Sequence, residues 1–220
     1  MGAIKSKIAG SKKTKNNQRK VLVEPDELVA HASGVDYDAY YPAYMKKNCA
    51  LTREQTDLIN SHWHEIIASG EAARGAGKEQ SNFHKVFYGR LFELHPGLQD
   101  LFKNDMDKQG NALISMLSEI LFMLPASPNL VTELERLAIR HIAYGAVTEH
   151  YGVVGEVLLY TLERCSEESR WTDAVKDAWL TAYCVMLMVI IPTTLKELDK
   201  KAGKTQPGVG NPAEENKTAG

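Results

Sequence analysis

The stretch Leu134-Glu135-Arg136-Leu137-Ala138-Ile139-Arg140-His141 decides how this chain reads. Leu134, Leu137, Ala138 and His141 fall at i, i+3, i+4 and i+7, one face of a helix. An imidazole therefore ends a stripe that is otherwise apolar and inward-facing. A neutral histidine in such a place offers a ring nitrogen to a metal. Taken alone, the position suits a core histidine hydrogen-bonded to a carbonyl at least as well. The residues around it separate the two readings.

Working outward, the pattern stays helical. Thr52-Arg53-Glu54-Gln55 is a capping-box signal. The helix it opens aligns Ile59, Trp63, Ile66 and Ile67, and a Gly/Ala-rich connection is expected from Gly70 to Lys78. A second helix over residues 82–94 turns Phe83, Phe87, Leu91 and Leu94 inward. His95-Pro96 then starts a short turn through Leu101 and Phe102. Residues 106–124 put Leu113, Leu117, Ile120, Leu121 and Leu124 on one stripe, ended by Pro125 and Pro128. The His141 helix covers residues 129–144, and another covers 151–165 with Val154, Val157, Leu158 and Thr161 aligned. Thr172-Asp173 caps the last helix, with Val175, Trp179, Ala182, Val185, Met186 and Val189 inward. No window alternates like a strand, so the expected class is all-α, with about six long helices and one or two short ones.

At 220 residues and 44% hydrophobic, the chain can enclose one good core. The net charge of −2 is unevenly spread. Residues 1–20 hold seven basic groups and no acid, which leaves −9 on the rest. A basic arm on an acidic body suits an anionic surface. Cys49, Cys165 and Cys184 are odd in number and lack metal-site spacing, as in buried thiols of a reducing compartment. No apolar leader opens the sequence, and the longest apolar run, Ala182 to Ile191, is short for a bilayer span and fits a buried helix. The expected division is a flexible basic extension at 1–50, one domain at 51–201, and a flexible tail at 202–220.

Three further residues bear on the histidine. Gln109 lies four residues before Leu113, in line with its stripe. Tyr88 sits beside inward Phe87, and Phe102 follows the proline-started turn. Singly, each has an ordinary reading: a solvated amide near a helix start, a core-edge phenol, a filled core.

Together, the blocks Phe87-Tyr88-Gly89-Arg90-Leu91-Phe92-Glu93-Leu94-His95-Pro96 to Phe102, Gln109 to Leu113, Leu137 to His141, Tyr151 to Glu163 and Trp171 to Tyr183 resemble the globin family from Thr52 to about Ile191. Tyr88, Gln109 and Tyr151 are similar to the globin domain of bacterial flavohaemoglobins. The run Val154-Gly155-Glu156-Val157-Leu158-Leu159-Tyr160-Thr161-Leu162-Glu163-Arg164-Cys165 is similar to neuroglobin and globin X.

The resemblance implies a globin fold around haem b, with His141 as proximal iron ligand. It places Gln109 at the distal position, Phe102 on the porphyrin, Leu113 against the bound gas and Tyr88 beside it. It implies reversible binding of O2, with NO and CO as further ligands, for storage, scavenging or sensing. The alternative is an NO dioxygenase or nitrite reductase served by an external reductase, since the chain leaves no room for a flavin and nicotinamide domain. The flavohaemoglobin match of Tyr151 belongs to a proximal network with a glutamate; the matching late-helix position here is Lys196, beside Glu197.

Met1-Gly2-Ala3-Ile4-Lys5-Ser6 fits the N-myristoylation pattern at Gly2. With the basic run behind it, the expectation is a cytoplasmic protein held reversibly on the anionic inner face of the plasma membrane. A nucleic-acid partner is not expected, because no aromatic residues interleave the basic ones. Gly70 to Lys78 lacks both the lysine and the preceding strand of a phosphate loop. His62 and His64 flank Trp63 and are expected at the solvated edge of the first helix. His95 is assigned to a turn and His150 to a helix start.

Overall fold

The computed structural model describes residues 21–23, 36–46, 49–75, 83–102, 105–124 and 129–203. Among these, six α-helices follow one another: α1 Arg53–Gly75, α2 Phe83–Leu94, α3 Met106–Met123, α4 Leu130–Ala143, α5 Thr148–Cys165 and α6 Asp173–Lys201. A 3₁₀ segment, Pro96–Leu101, joins α2 to α3. The all-α expectation and the helix number hold.

Local chemistry sets the helix starts. Thr52 Oγ1 accepts from the Gln55 amide at 3.2 Å while Gln55 Oε1 accepts from the Thr52 amide at 3.1 Å, the reciprocal capping box. Asp105 accepts from the amides of Asp107 and Lys108 ahead of α3. Thr172 accepts from Val175 ahead of α6.

The apolar helix α6 is the axis of the bundle. Trp179, Ala182, Cys184, Val185, Leu187 and Ile191 are fully enclosed on it. α4 and α1 pack along it, α5 beside them, and α2 lies across α5. Each enclosed Leu or Val stabilises the fold by about 1.5–3 kcal/mol. The expected buried run is borne out: residues 182–191 are buried in the bundle apart from half-buried Met188. α6 is also the one described helix long and apolar enough to cross a membrane, with 72% of its most apolar window buried inside the protein.

Leu94, expected inward, is 41% exposed at the end of α2, and three further local expectations change. α1 runs on to Gly75 instead of giving way to a connection at Gly70, because Glu71-Ala72-Ala73-Arg74 are good helix formers that offset the glycine. The segment before residue 51 is not wholly a loose extension. β1 Val21–Val23 pairs antiparallel with β2 Leu51–Thr52, a ladder too short to announce itself by alternation. A 3₁₀ turn spans Asp38–Tyr40. The Tyr44 hydroxyl donates to the Gly152 carbonyl at 2.7 Å, and Lys46 Nζ donates to Thr181 Oγ1 at 2.6 Å. Cys49 and Leu51 are enclosed in the core. The packed body thus reaches back before the expected boundary.

The third change concerns His62, which is only 2% exposed rather than at a solvated edge. Trp179 Nε1 donates to its Nδ1 at 3.0 Å, and its Nε2 meets Ser166 Oγ at 2.7 Å. Desolvation holds this imidazole below the usual histidine range. His64, by contrast, is exposed. Gly2 with the basic run, Lys78, Asn82, Pro125, Pro128 and the tail from 204 lie outside the described residues.

Candidate functional site

α4 positions the histidine. It buries Leu130, Leu134, Ala138 and Ile142, a stripe of strict i, i+4 steps packed toward α6. Leu137 and His141 stand on the adjoining face and are half-buried. The sequence stripe therefore divides in two, with Leu134 and Ala138 in the core and Leu137 and His141 at its margin.

His141 Nδ1 lies 2.8 Å from the Leu137 carbonyl, one helical turn back. A carbonyl can only accept, so Nδ1 carries the proton and Nε2 keeps a bare lone pair. Burial holds the ring below the usual histidine range, which keeps it neutral and able to ligate. On the other side, the Tyr151 ring centroid lies 6.3 Å from that of His141. Thr194 Oγ1 donates to the Tyr151 hydroxyl at 3.3 Å, and the Tyr183 hydroxyl donates to the Tyr151 carbonyl at 2.6 Å.

A second cluster forms where α2 meets the 3₁₀ segment. The Tyr88 ring sits 5.2 Å from Phe102 and 5.9 Å from Phe92, and Phe92 sits 5.5 Å from Phe102. Tyr88 is buried, and desolvation pushes its phenol up to about 12, so it stays protonated and remains a donor at neutral pH. Gln109 and Leu113 stand one turn apart on α3, both half-buried. Neither the Gln109 amide nor the Tyr88 hydroxyl is committed to a hydrogen bond among the described residues.

The helices carrying these groups are held by different neighbours. α3 packs on α2 and α1, while α4 packs on α6. One corner links the two sides. Gly145, at φ +92° just past α4, lies so near Leu101 Cδ2 that an added Cβ would come within 3.3 Å of it. Only glycine takes that backbone conformation without strain.

The structure thus brings His141 to Tyr151 and Tyr88 to Phe102, while Gln109 and Leu113 form a separate pair on α3. Three participants were not foreseen from sequence. The Leu137 carbonyl follows from the i, i+4 step of a helix and was legible. Phe92 sits one turn after Tyr88 and was also legible. Thr194 was not, because it takes the partnership with Tyr151 for which Lys196 and Glu197 stood; Glu197 pairs with exposed Lys200 instead. A cavity of about 390 Å³ beside His62, Glu65, Cys165 and Arg170, and a groove of about 460 Å³ beside Trp63, Ile67, Ser118 and Phe122, both border α1 and neither includes His141.

An iron porphyrin fits the residues present. One imidazole with its Nδ1 engaged and its Nε2 bare is a donor that would hold the iron of such a group. Leu137, Leu113, Phe102 and Val154 are half-buried apolar side chains of the kind a flat apolar ring covers.

Residues 85–190 match the globin family model. The chain is 31% identical over 144 residues to a flavohaemoprotein of Vibrio cholerae, covering 64% of this chain and 34% of that protein. It is 26% identical over 151 residues to neuroglobin-2 of Oncorhynchus mykiss, covering 62% and 88%, and 25% identical over 144 residues to leghaemoglobin 49 of Vicia faba, covering 60% and 90%. The chain spans about a third of the length of the flavohaemoprotein. The helix order, the lone histidine of α4 and these matches agree that the chain belongs to the globin family.

Proposed function

We propose that this globin binds haem b through His141 and reversibly holds a diatomic gas, with O2 as the principal ligand and NO and CO as others. The observation that carries the reading is the 2.8 Å hydrogen bond from His141 Nδ1 to the Leu137 carbonyl, which leaves Nε2 unprotonated and able to ligate. When bound, the haem supplies an iron that holds the gas and leaves partial negative charge on its outer atom. Of the chain's own residues, His141 would hold that iron, and Tyr88 and Gln109 would offer donors to the gas. The Tyr88 hydroxyl and the Gln109 amide are both donors. Each hydrogen bond to such a charge is worth about 1–1.5 kcal/mol, close to tenfold in affinity.

The enzyme reading, an NO dioxygenase or nitrite reductase with an external reductase, draws on the likeness to a flavohaemoprotein. The proximal side lends it less support, because Tyr151 is partnered by a threonine hydroxyl rather than a carboxylate. Attachment to an anionic membrane face through myristoylated Gly2 is part of the proposal and rests on the N-terminal pattern and its seven basic residues. Loss of membrane sedimentation in Gly2→Ala checks it.

The deciding experiment is an absorption spectrum of the purified full chain after haemin addition, oxidised, reduced and with CO, beside His141→Ala. A Soret band that shifts with CO and is lost in the variant supports the reading. A protein that takes up no haemin, or takes it up equally with alanine at 141, refutes it. NO consumption with a generic reductase separates the enzyme reading from simple gas binding.

A further inference from the structure

Among the described residues, the buried side-chain nitrogens left without a hydrogen bond belong to one residue, His84. It is 6% exposed, in the first turn of α2. Its Nε2 stands 3.5 Å from Asp107 Oδ1, beyond a good hydrogen bond. Burying an imidazole whose nitrogens lack hydrogen bonds is unfavourable, so its place calls for a physical reason.

The reason lies in what the ring touches. Gly110 of α3 is buried, and a Cβ there would overlap the His84 ring and fall 2.7 Å from His84 Cβ. The two helices therefore approach to the thickness of one imidazole at this point. Four residues past His84, on the same face of α2, comes Tyr88. Immediately before Gly110 on α3 comes Gln109. The His84–Gly110 contact is thus the spacer between the two helices that carry the two uncommitted donors.

We propose that His84 is a positioning residue for the gas pocket. Its ring, wedged on Gly110, holds α3 at the depth where Gln109 and Tyr88 serve one ligand. The inference rests on the gas-binding reading above and adds to it a residue that touches neither haem nor gas. Hydrogen bonds to nitrogen donors span about 2.7–3.2 Å, so a shift of α3 by about 1 Å is enough to lose the Gln109 contact.

The test uses the full haem-loaded chain, with O2 and CO dissociation followed by stopped flow and amide exchange followed for peptide 106–113. His84→Ala is expected to speed O2 release about tenfold, the worth of one donor, and CO release less than about twofold. It is expected to add nothing in a Gln109→Leu background, and combining it with Gly110→Ala, whose methyl refills the gap, is expected to restore both the O2 rate and the exchange protection. His84→Phe keeps the ring's thickness and is expected to keep wild-type rates, which guards against a variant that merely folds poorly. Unchanged O2 release in His84→Ala, the same acceleration with Gln109→Leu present, or phenylalanine rates as fast as alanine rates overturns the proposal. Failure of the pocket reading looks different: Tyr88→Phe and Gln109→Leu then leave O2 release untouched. In that case the exchange data alone decide whether His84 spaces α3.

Discussion

Replacing Gly155 by alanine tests how the N-terminal segment is joined to the proximal side. Gly155 is buried on α5, and a Cβ there would overlap the Tyr44 hydroxyl and the Tyr183 ring, whose Cδ1 it would meet at 2.9 Å. Both rings are committed: Tyr44 donates to Gly152 O at 2.7 Å, and Tyr183 donates to Tyr151 O at 2.6 Å. Overpacking costs about 1–3 kcal/mol, and losing the Tyr44 bond costs about 0.5–1.5 kcal/mol more. Better helix propensity returns about 0.8–1 kcal/mol. The net expectation is a loss of about 0.5–3.7 kcal/mol, read from urea unfolding followed by circular dichroism at unchanged m. Tyr44→Phe removes the hydroxyl that the methyl strikes. In the double variant the two costs therefore fall short of their sum, by about 0.5–1.5 kcal/mol. Strict additivity, or a Gly155→Ala protein more stable than the parent, refutes the close approach.

Three further outcomes are expected. Tyr88→Phe speeds O2 dissociation about tenfold and CO dissociation less, because CO carries less charge to accept the phenol's bond; equal factors for both gases count against a donor role. The ferrous ligand-free protein shows a five-coordinate high-spin spectrum, since the Gln109 amide is a poor iron ligand; a sharp low-spin six-coordinate spectrum contradicts that. His62 makes stability pH-dependent. Its folded value lies below the ordinary 6.5, so the unfolded chain binds the extra proton first. Its contribution is complete above about pH 6.5 and is lost as the pH falls through the depressed folded value, with a slope of up to about 1.4 kcal/mol per pH unit. Unfolding curves from pH 7.5 to 5 on the parent and His62→Gln read this, and an equal slope in both proteins rules out His62 as its source.

Much of the site was legible because its parts are local. The i, i+4 step that hands His141 Nδ1 to the Leu137 carbonyl is a property of any helix. The Tyr88, Phe92 and Phe102 cluster follows from one helix and the proline-started turn behind it. Thr194 was missed because the packing of α6 against α5 decides which late side chain meets Tyr151, and residue spacing carries no such information. His62 falls in line with Ile59 and Ile66, yet whether a histidine is buried depends on a partner, and Trp179 lies 117 residues away.

Apolar periodicity, caps and breakers by themselves determined six helices, their order and the imidazole at the end of a core stripe, since these depend on neighbours within a turn or two. Only the tertiary structure decided which half of that stripe enters the core, that Tyr44 and Lys46 fasten the N-terminal segment to α5 and α6, and that His84 sits against Gly110. Each of those rests on atoms brought together from distant parts of the chain, where the gain from close packing outweighs the preference of any single residue.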